Sequence, residues 1–524
     1  MTTGTTTPYR SRRPTGRAGF PHLLRAEWTK FRTVRGWVLA MTAAAVVIVS
    51  LGLIFATGSH SSCSIGTVEV ACPKPPTGPG GELVDDRFYF VHQSLAGDGG
   101  ITVRLTSMTG IITYPPPNHD KIVSGLVPWA KTGVIVKDGT RQGSAYAAMM
   151  VTADHGVRMQ YDYTHDTAGR PGRVSAASPR WLRLNRSGDT LTGYESADGT
   201  QWTQVGTTHL PRLPATVQIG LFVASPSDLT VEQSALGGSV GQARYTQATA
   251  VFDHVGLRGT TPGGQWSRDD IGADGQTDWQ RYHRPSGVRE SGGAYTVTGS
   301  GDIAPLTDGP PIERTLIGML AGLIVMIVVA VMFMTAEYRR GLIHTTLIAS
   351  PRRGRVLAAK AVVIGLVAFV AGVAATAITV PSGTRILRRG GAFPFPVSSL
   401  TELRVIVGTA ALLAVAAVLA LALGALFRRS VAAIITAIVV IVVPYVLAFA
   451  SVLPDDVTRW LLRLTPAAGF AIQQSVPEYK QVIGNYAPSA GYYPLAPWAG
   501  FAVLCAYAAL ALGLAAHRLR RRDA

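Results

Sequence analysis

Residues 335–360, TAEYRRGLIHTTLIASPRRGRVLAAK, separate two runs, 315–334 and 361–380, that contain no Asp, Glu, Lys or Arg. A helix crossing a bilayer needs about 20 predominantly apolar residues, and each run is long enough. The connecting segment carries six Lys and Arg against one acid. Clustered positive charge resists translocation, so this hinge belongs on the cytoplasmic side of two membrane helices.

Counting outward from the hinge, the uncharged runs read as six spans, 37–57, 315–334, 361–380, 405–427, 431–453 and 495–516. An even number leaves both termini inside, where the basic stretches around Arg10–Arg35 and Arg518–Arg522 are favoured. Arg385, Arg388 and Arg389 are the exception, because this topology places them in a short outer loop. The formal net charge of +17 gathers at the feet of the spans, with eight Lys and Arg against one acid in residues 1–36. That is the pattern of an orientation signal with attraction to anionic membrane lipid, and it argues against nucleic-acid binding. No span holds an Asp, Glu, Lys or Arg in its interior, whereas ion-coupled pumps generally need ionisable groups at depth.

Residues 1–20 are Thr-, Arg-, Gly- and Pro-rich and read as a disordered cytoplasmic tail. From 21 to 36, Leu23, Leu24, Trp28 and Phe31 recur at helical spacing among Arg25, Lys30, Arg32 and Arg35. That stripe reads as an amphipathic elbow helix in the inner interface, or as a plain extension of the first span. The long basic lead favours an uncleaved anchor over a signal peptide. Arg428-Arg429-Ser430 closes a tight hairpin between two spans, Pro444 bends the second of them, and 455–466 reads as a short outer amphipathic helix. Residues 517–524 form a basic cytoplasmic tail.

Between the first two spans the composition turns soluble. Short runs rich in β-branched residues recur between turn residues, among them 88–91, 101–105, 133–136, 145–152, 157–163, 181–185, 217–223 and 248–255, as in an antiparallel sandwich. Asp198-Gly199 supplies a tight hairpin turn. Residues 58–81 form an outer neck with Cys63 and Cys72. On the outside a disulfide persists, and these two are expected to pair, leaving Cys505 alone in the last span.

The segments AKTGVIVKDGT (130–140), AAMMVTADHGVRMQY (147–161) and PRWLRLNRSGDTLTGYESADGTQWTQVG (179–206) resemble the concanavalin A-like, regulation-of-enolase type of jelly-roll domain. The resemblance covers about 82–259 and implies a two-sheet sandwich whose relatives in part bind sugars. Residues 260–312 lie beyond it, as added strands or a stalk. In Trp181-Leu182-Arg183-Leu184 strand alternation puts the leucines on one face and Trp181 with Arg183 on the other. That second face suits a saccharide, or is covered by a loop. Glycoside hydrolysis needs two placed carboxylates, and nothing in the sequence pairs Asp154, Asp162, Asp166 and Glu195. His155 and His165 match no zinc spacing, so neither a catalytic residue nor a metal ligand is assigned.

AEWTKFRTVRGW (26–37), TAEYRRGLIHTTLIASPRRGRVLAAKA (335–361), LTPAAGFAIQQ and GYYPLAPWAGFAVL resemble permease subunits of type-2 ATP-binding-cassette (ABC) exporters of the actinobacterial kind. The phosphate loop GxxxxGK[ST] needs Gly before Lys, and none of the seven lysines follows Gly. The resemblance therefore implies no cofactor in this chain, with ATP and Mg bound by a separate cytoplasmic ATPase subunit and a second permease, copy or paralogue, as partner. It further implies that Glu27, Trp28 and Lys30 of the elbow, with Glu337, Tyr338, Arg339, Arg340 and Gly341 of the hinge, couple to that ATPase. The expected fold is a multi-pass α-helical membrane protein of six transmembrane helices with an inserted all-β jelly-roll ectodomain. The expected function is an exporter permease in the plasma membrane, not itself an enzyme, whose lectin-like exterior binds cargo or envelope glycan. The rival is a membrane-anchored glycan receptor without transport.

Overall fold

The computed structural model describes residues 19–65, 68–70, 72–114, 121–233, 239–275, 280–281, 284–307, 309–339, 353–484 and 486–521. Arg340 and Gly341, named for coupling, and Arg352 lie outside the described residues, as does the tail 1–18.

Six helices are long and apolar enough to cross a membrane. A preceding helix, α1 (Phe20–Thr33), turns at Val34 into α2 (Arg35–Gly58). The second and third spans are α3 (Met319–Arg339) and α4 (Arg353–Arg389), and the fourth is α5 (Ser399–Phe427). Ser398 caps α5 by accepting from the Thr401 amide at 3.2 Å, satisfying one of the N–H groups a helix start leaves open. At the other end Arg428 takes the left-handed conformation, φ 56°, and its N–H donates to Gly424 at 3.0 Å. This Arg cap lets the next helix begin at Ser430, closing the tight hairpin.

The fifth span is α6 (Ser430–Ala437), a π-helical turn over Ile438–Val442, and α7 (Val443–Phe449). Pro444 lacks an N–H and its ring crowds the carbonyl a turn earlier, so the backbone widens before it instead of simply bending. Helix α8 (Asp455–Leu464) turns Val457, Trp460 and Leu464 outward, and a fully buried 3-10 segment, Pro466–Gln473, returns the chain into the bundle. Helix α9 (Pro497–Arg521) is the sixth span. Central α3 and α5 pack against each other, with α2, α4 and α9 around them.

One sequence expectation is corrected and one open choice is closed. Helix α4 does not end near residue 380 but runs through Pro381 to Arg389, so Arg385, Arg388 and Arg389 lie on its last turns and not in a loop. Positive charge there complements the helix dipole. Of the two readings left open for residues 260–312, added strands or a stalk, the described residues take the first. Ser267–Ile271 pairs with Phe88–His92, Ala294–Gly299 with residues 248–252, and Ile303–Pro305 with Val84–Asp86, all within the sandwich.

The sandwich turns on one long strand, Phe88–Thr113, read from sequence as two. Its first half pairs with Thr216–Ala224 and its second with Arg180–Ser187 and Ser239–Thr260. The strand thus passes from one layer to the other around Gly97, φ 69°, making a continuous antiparallel sheet that folds on itself. Between the layers lie Val103, Val134, Val136, Met149, Met159, Leu182 and Leu184. The layers approach closely at Gly193, where a Cβ would fall 2.3 Å from the Met149 sulfur. A second core, with Phe88, Ile135, Tyr146 and Phe222, lies on the opposite face of Lys131–Lys137. Both faces of that strand are covered, which is why TGVIV reads as continuous rather than alternating.

Two lysines end this strand, and each is buried against one acid. Lys131 Nζ donates to Asp302 Oδ1 at 2.6 Å and Lys137 Nζ to Asp86 Oδ2 at 2.7 Å. Tyr163 Oη and the Gly143 amide also donate to Asp86 Oδ2, both at 2.8 Å. The sandwich rests on one end of the bundle. There Gln481 Nε2 donates to Thr164 O at 3.2 Å and the Ser61 amide to Gly390 O at 3.0 Å.

Candidate functional site

At the bundle end away from the sandwich, four charged side chains from three elements meet. Lys360 on α4 is fully buried, with Nζ 2.7 Å from Glu27 Oε2 on α1 and 2.6 Å from Glu337 Oε1 on α3. Lys30, one turn after Glu27, donates to Glu27 Oε1 at 2.8 Å and to Glu337 Oε1 at 3.0 Å. Two ammonium groups therefore face two carboxylates. Burial pulls the Lys30 pKa down, but the acids more than offset this and raise it above its ordinary value. Among the described residues Glu337 Oε2 and the Tyr338 hydroxyl accept or donate no hydrogen bond.

The spacing explains the meeting. Glu27 and Phe31 are the buried positions of α1, four apart and hence on one face. Phe31 packs edge-on against Phe333 at 5.9 Å, as does Trp37 at 5.2 Å. The Phe333 ring in turn lies 4.7 Å from Lys360 Nζ, a cation over an aromatic face. Glu337 stands one turn beyond Phe333 on α3. Arg428 lies over the Tyr338 ring at 5.4 Å, Thr335 bonds Ser430 at 2.8 Å, and Arg353 Nη1 donates to Leu519 O at 2.8 Å. These contacts gather the feet of all six spans around the start of the 340–352 connection.

Glu27, Lys30 and Glu337, expected to face a partner, are thus brought together and turned inward on Lys360. Trp28 stacks on Phe31 at 6.5 Å and stays 44% exposed, so its outer side is open to another surface. Sequence reasoning passed over Lys360, which closes AAKA at the start of an apolar run. A lone lysine there, one helix away from two lone acids, was the available signal.

The sandwich face proposed for sugar is arranged otherwise. Gly199, at the Asp198-Gly199 turn, lies against the Trp181 ring so closely that a Cβ would sit 2.8 Å from it, and His254 approaches the ring edge at 5.3 Å. Arg183 stacks over Trp202 at 3.8 Å and donates to Thr102 at 3.1 Å. Both residues are engaged within the domain by the loop that alternation left open. His155 stacks on Trp129 at 4.0 Å and His165 on Tyr161 at 4.4 Å, while Asp154 and Asp166 pair with Arg173 and Arg158. Among the described residues no cluster of His, Cys, Asp and Glu is suited to hold a metal. Cys63 is bonded to Cys72, and Cys505 is free.

A third polar group sits between bundle and sandwich. The Ser475 amide donates to Glu313 Oε1 at 3.1 Å and its hydroxyl to Oε2. Burial pushes the Glu313 carboxyl up to about 7 against those donors. Arg404 donates to the Ile472 and Gln474 carbonyls, at 3.1 and 2.7 Å, fixing the chain that follows the buried 3-10 segment.

Fold and site together define a multi-pass membrane protein with an inserted β domain. Residues 305–517, from the last strand of the sandwich through α9, match the family model described as ABC-2 family transporter protein. The match covers under half of the chain and likens its membrane part, from α3 through α9, to that family. No curated protein matches. Among solved structures, a functionally unknown protein from Saccharomyces cerevisiae is 14% identical, with 39% of this chain and 93% of that one covered and a TM-score of 0.21. A Scytalido-glutamic peptidase bound to a peptide-based transition-state analogue is 10% identical, with 41% and 98% covered and a TM-score of 0.24. At such TM-scores these likenesses bear on neither fold nor activity.

Proposed function

We propose that this chain is the membrane subunit of an ATP-driven exporter, powered by a separate cytoplasmic ATPase that binds ATP and Mg, and paired with a second permease. In this reading both termini and the Glu27–Lys360–Glu337 cluster face the cytoplasm, and the sandwich is outside. The observation that carries it is Lys360 held between α1 and α3. Parting these helices would leave charge buried without its partner, which is strongly unfavourable. A push from an ATPase on the 340–352 connection would therefore reach elbow and spans as one unit.

The test is to co-express wild-type and Lys360→Met chains with the ATPase subunit and measure retention after mild detergent extraction, then ATP-dependent transport in vesicles. Wild type is expected to retain the subunit and transport. The variant is expected to bind it with transport lost. Uphill movement of a solute by this polypeptide alone in liposomes would overturn the reading.

The concanavalin A-like reading of the sandwich extends the proposal to binding of cargo or envelope glycan, through a face other than that of Trp181. An open cleft of about 370 Å³ lined by Thr109, Ser124, Thr152 and Arg173 offers hydroxyl and guanidinium groups suited to a saccharide. Glycan-array binding by the whole protein, lost in Thr109→Trp, is the expected result.

A further inference from the structure

Asp86 and Lys137 meet where the chain enters the sandwich. Residues Val84–Asp86 follow the neck and pair with Ile303–Pro305, which lead out toward α3. Lys137 ends an inner strand, Lys131–Lys137, flanked by Thr216–Ala224 and Tyr146–Thr152. The contact therefore ties the entrance of the insertion to its interior, and neither side chain is exposed.

The surroundings exceed what an ion pair uses. Tyr163 Oη lies between the partners, accepting from Lys137 Nζ at 3.1 Å and donating to Asp86 Oδ2 at 2.8 Å. With Nζ itself at 2.7 Å and the Gly143 amide at 2.8 Å, three donors converge on Oδ2. Oδ1 is buried and has no hydrogen-bond partner among the described residues. An ionised carboxylate spreads its charge over both oxygens, so a bare Oδ1 disfavours that form. The rings of Tyr146 and Tyr163, 5.9 and 5.7 Å from Nζ, wall off water. Desolvation lowers the Lys137 pKa and outweighs the pull of Asp86. The site thus favours a neutral amine beside a neutral carboxylic acid, the forms that condense to an amide.

We propose that Lys137 and Asp86 join in an intramolecular isopeptide bond, Nζ to Cγ, with loss of one water. The ammonium passes a proton to Oδ2, directly or through Tyr163. The Nζ lone pair adds to Cγ while the carbonyl electrons move to Oδ1. A second Nζ proton then reaches Oδ2 through Tyr163, and Oδ2 departs as water as Oδ1 regains its double bond. The remaining N–H faces Ser144 O, 3.1 Å from Nζ. The step is a dehydration without oxidant, reductant or co-reactant. Force arriving through the neck then loads an inner strand instead of peeling Val84–Asp86 away. The bond forms whichever side of the membrane carries the sandwich.

Lys131 and Asp302, 2.6 Å apart, supply the contrast. Among the described residues no hydroxyl bridges them, Asp302 Oδ1 also accepts from the Ile303 amide at 2.8 Å, and the Asp302 side chain keeps 8% exposure. That pair is expected to stay ionic.

The test is the mass of the denatured, reduced full-length protein. Wild type is expected to be one water lighter than Lys137→Arg, after allowance for the substitution, in most chains. Lys131→Arg should keep the loss. Digestion of wild type should give a branched peptide joining the Asp86 and Lys137 segments, uncleaved after Lys137. A wild-type mass equal to that of its sequence would overturn the bond and leave an ion pair only. So would a missing water mapped to a cyclic imide at Asp138-Gly139, which has the same mass but no branch. Tyr163→Phe should slow bond formation by about 100-fold, a usual scale for a lost proton-transfer group, followed as water loss against time after synthesis in protein whose sandwich still resists protease. An unchanged rate would overturn the relay through Tyr163.

Discussion

Lys360 and Glu27, 333 residues apart in the chain, are joined by a 2.7 Å bond between Nζ and Oε2. The bond ties the first helix of the membrane unit to the third span across the whole length of the sandwich insertion. Glu337, on the same ammonium at 2.6 Å, makes the tie three-way.

Lys360→Met is expected to destabilise the membrane unit by about 3 kcal/mol, because it leaves two buried carboxylates facing each other with only the partly exposed Lys30 between them. Lys30→Met, at a side chain 40% exposed, should cost about 1 kcal/mol or less. Thermal denaturation of the full protein in detergent distinguishes them. Equal losses would mean that burial of Lys360 is not what matters.

The sandwich contains a comparable point at Lys137 and Asp86, where neither side chain is exposed. Lys137→Met leaves Asp86 with Tyr163 and Gly143 but no cation, a change expected to cost about 3–5 kcal/mol. Limited proteolysis of the whole protein should cut within residues 84–305 at lower temperature in this variant. Lys121→Met, at a partly exposed position, should not alter the pattern.

Gly193→Val places atoms where the Met149 and Met159 sulfurs lie, the first 2.3 Å from the Cβ position. Overpacking of this kind costs about 1–3 kcal/mol. Adding Met149→Ala should recover most of the loss, read by the same proteolysis. A valine tolerated without the second change would mean that the layers separate more readily than their packing implies.

Glu313 makes stability depend on pH. Its folded pKa, about 7, lies above the ordinary 4.5, so the folded protein holds a proton that the unfolded chain releases. The resulting stability is full below about 4.5 and is lost as pH rises through about 7. The melting temperature of wild type should fall relative to that of Glu313→Gln between pH 4.5 and 7, and the difference should level off above. A difference flat across this range would place the carboxyl in ordinary solvent.

Cys63 and Cys72 should resist thiol alkylation in unfolded, unreduced protein, leaving Cys505 as the reactive thiol. Mass spectrometry before and after reduction counts them. Three alkylated cysteines without reductant would show that the neck is open in the cell-derived protein.

The spans were legible because a run of uncharged apolar residues needs a bilayer wherever the rest of the chain goes. Residues 315–334 and 405–427 therefore locate helices without knowledge of their neighbours. Helix ends were less legible. Arg385, Arg388 and Arg389 looked like loop because charge was taken as the end of a span, whereas a helix continues past the hydrocarbon while its carbonyls have amides to meet. Alternation set Leu182 and Leu184 inward, both fully buried. It said nothing of what lay over Trp181, because the Gly199 turn returns there through hairpin geometry.

The number and place of the apolar helices, the inserted β-rich segment and the basic feet of the spans were properties of short stretches, and sequence alone determined them. Which charges meet was not. Glu27, Glu337 and Lys360 lie in three distant segments, and only the packing of α1, α3 and α4 around Phe333 closes them on one another. The physical reason is range. Hydropathy acts on a residue through water and lipid, whatever its distant neighbours, whereas a buried ion pair exists only where folding removes the water from both partners at once.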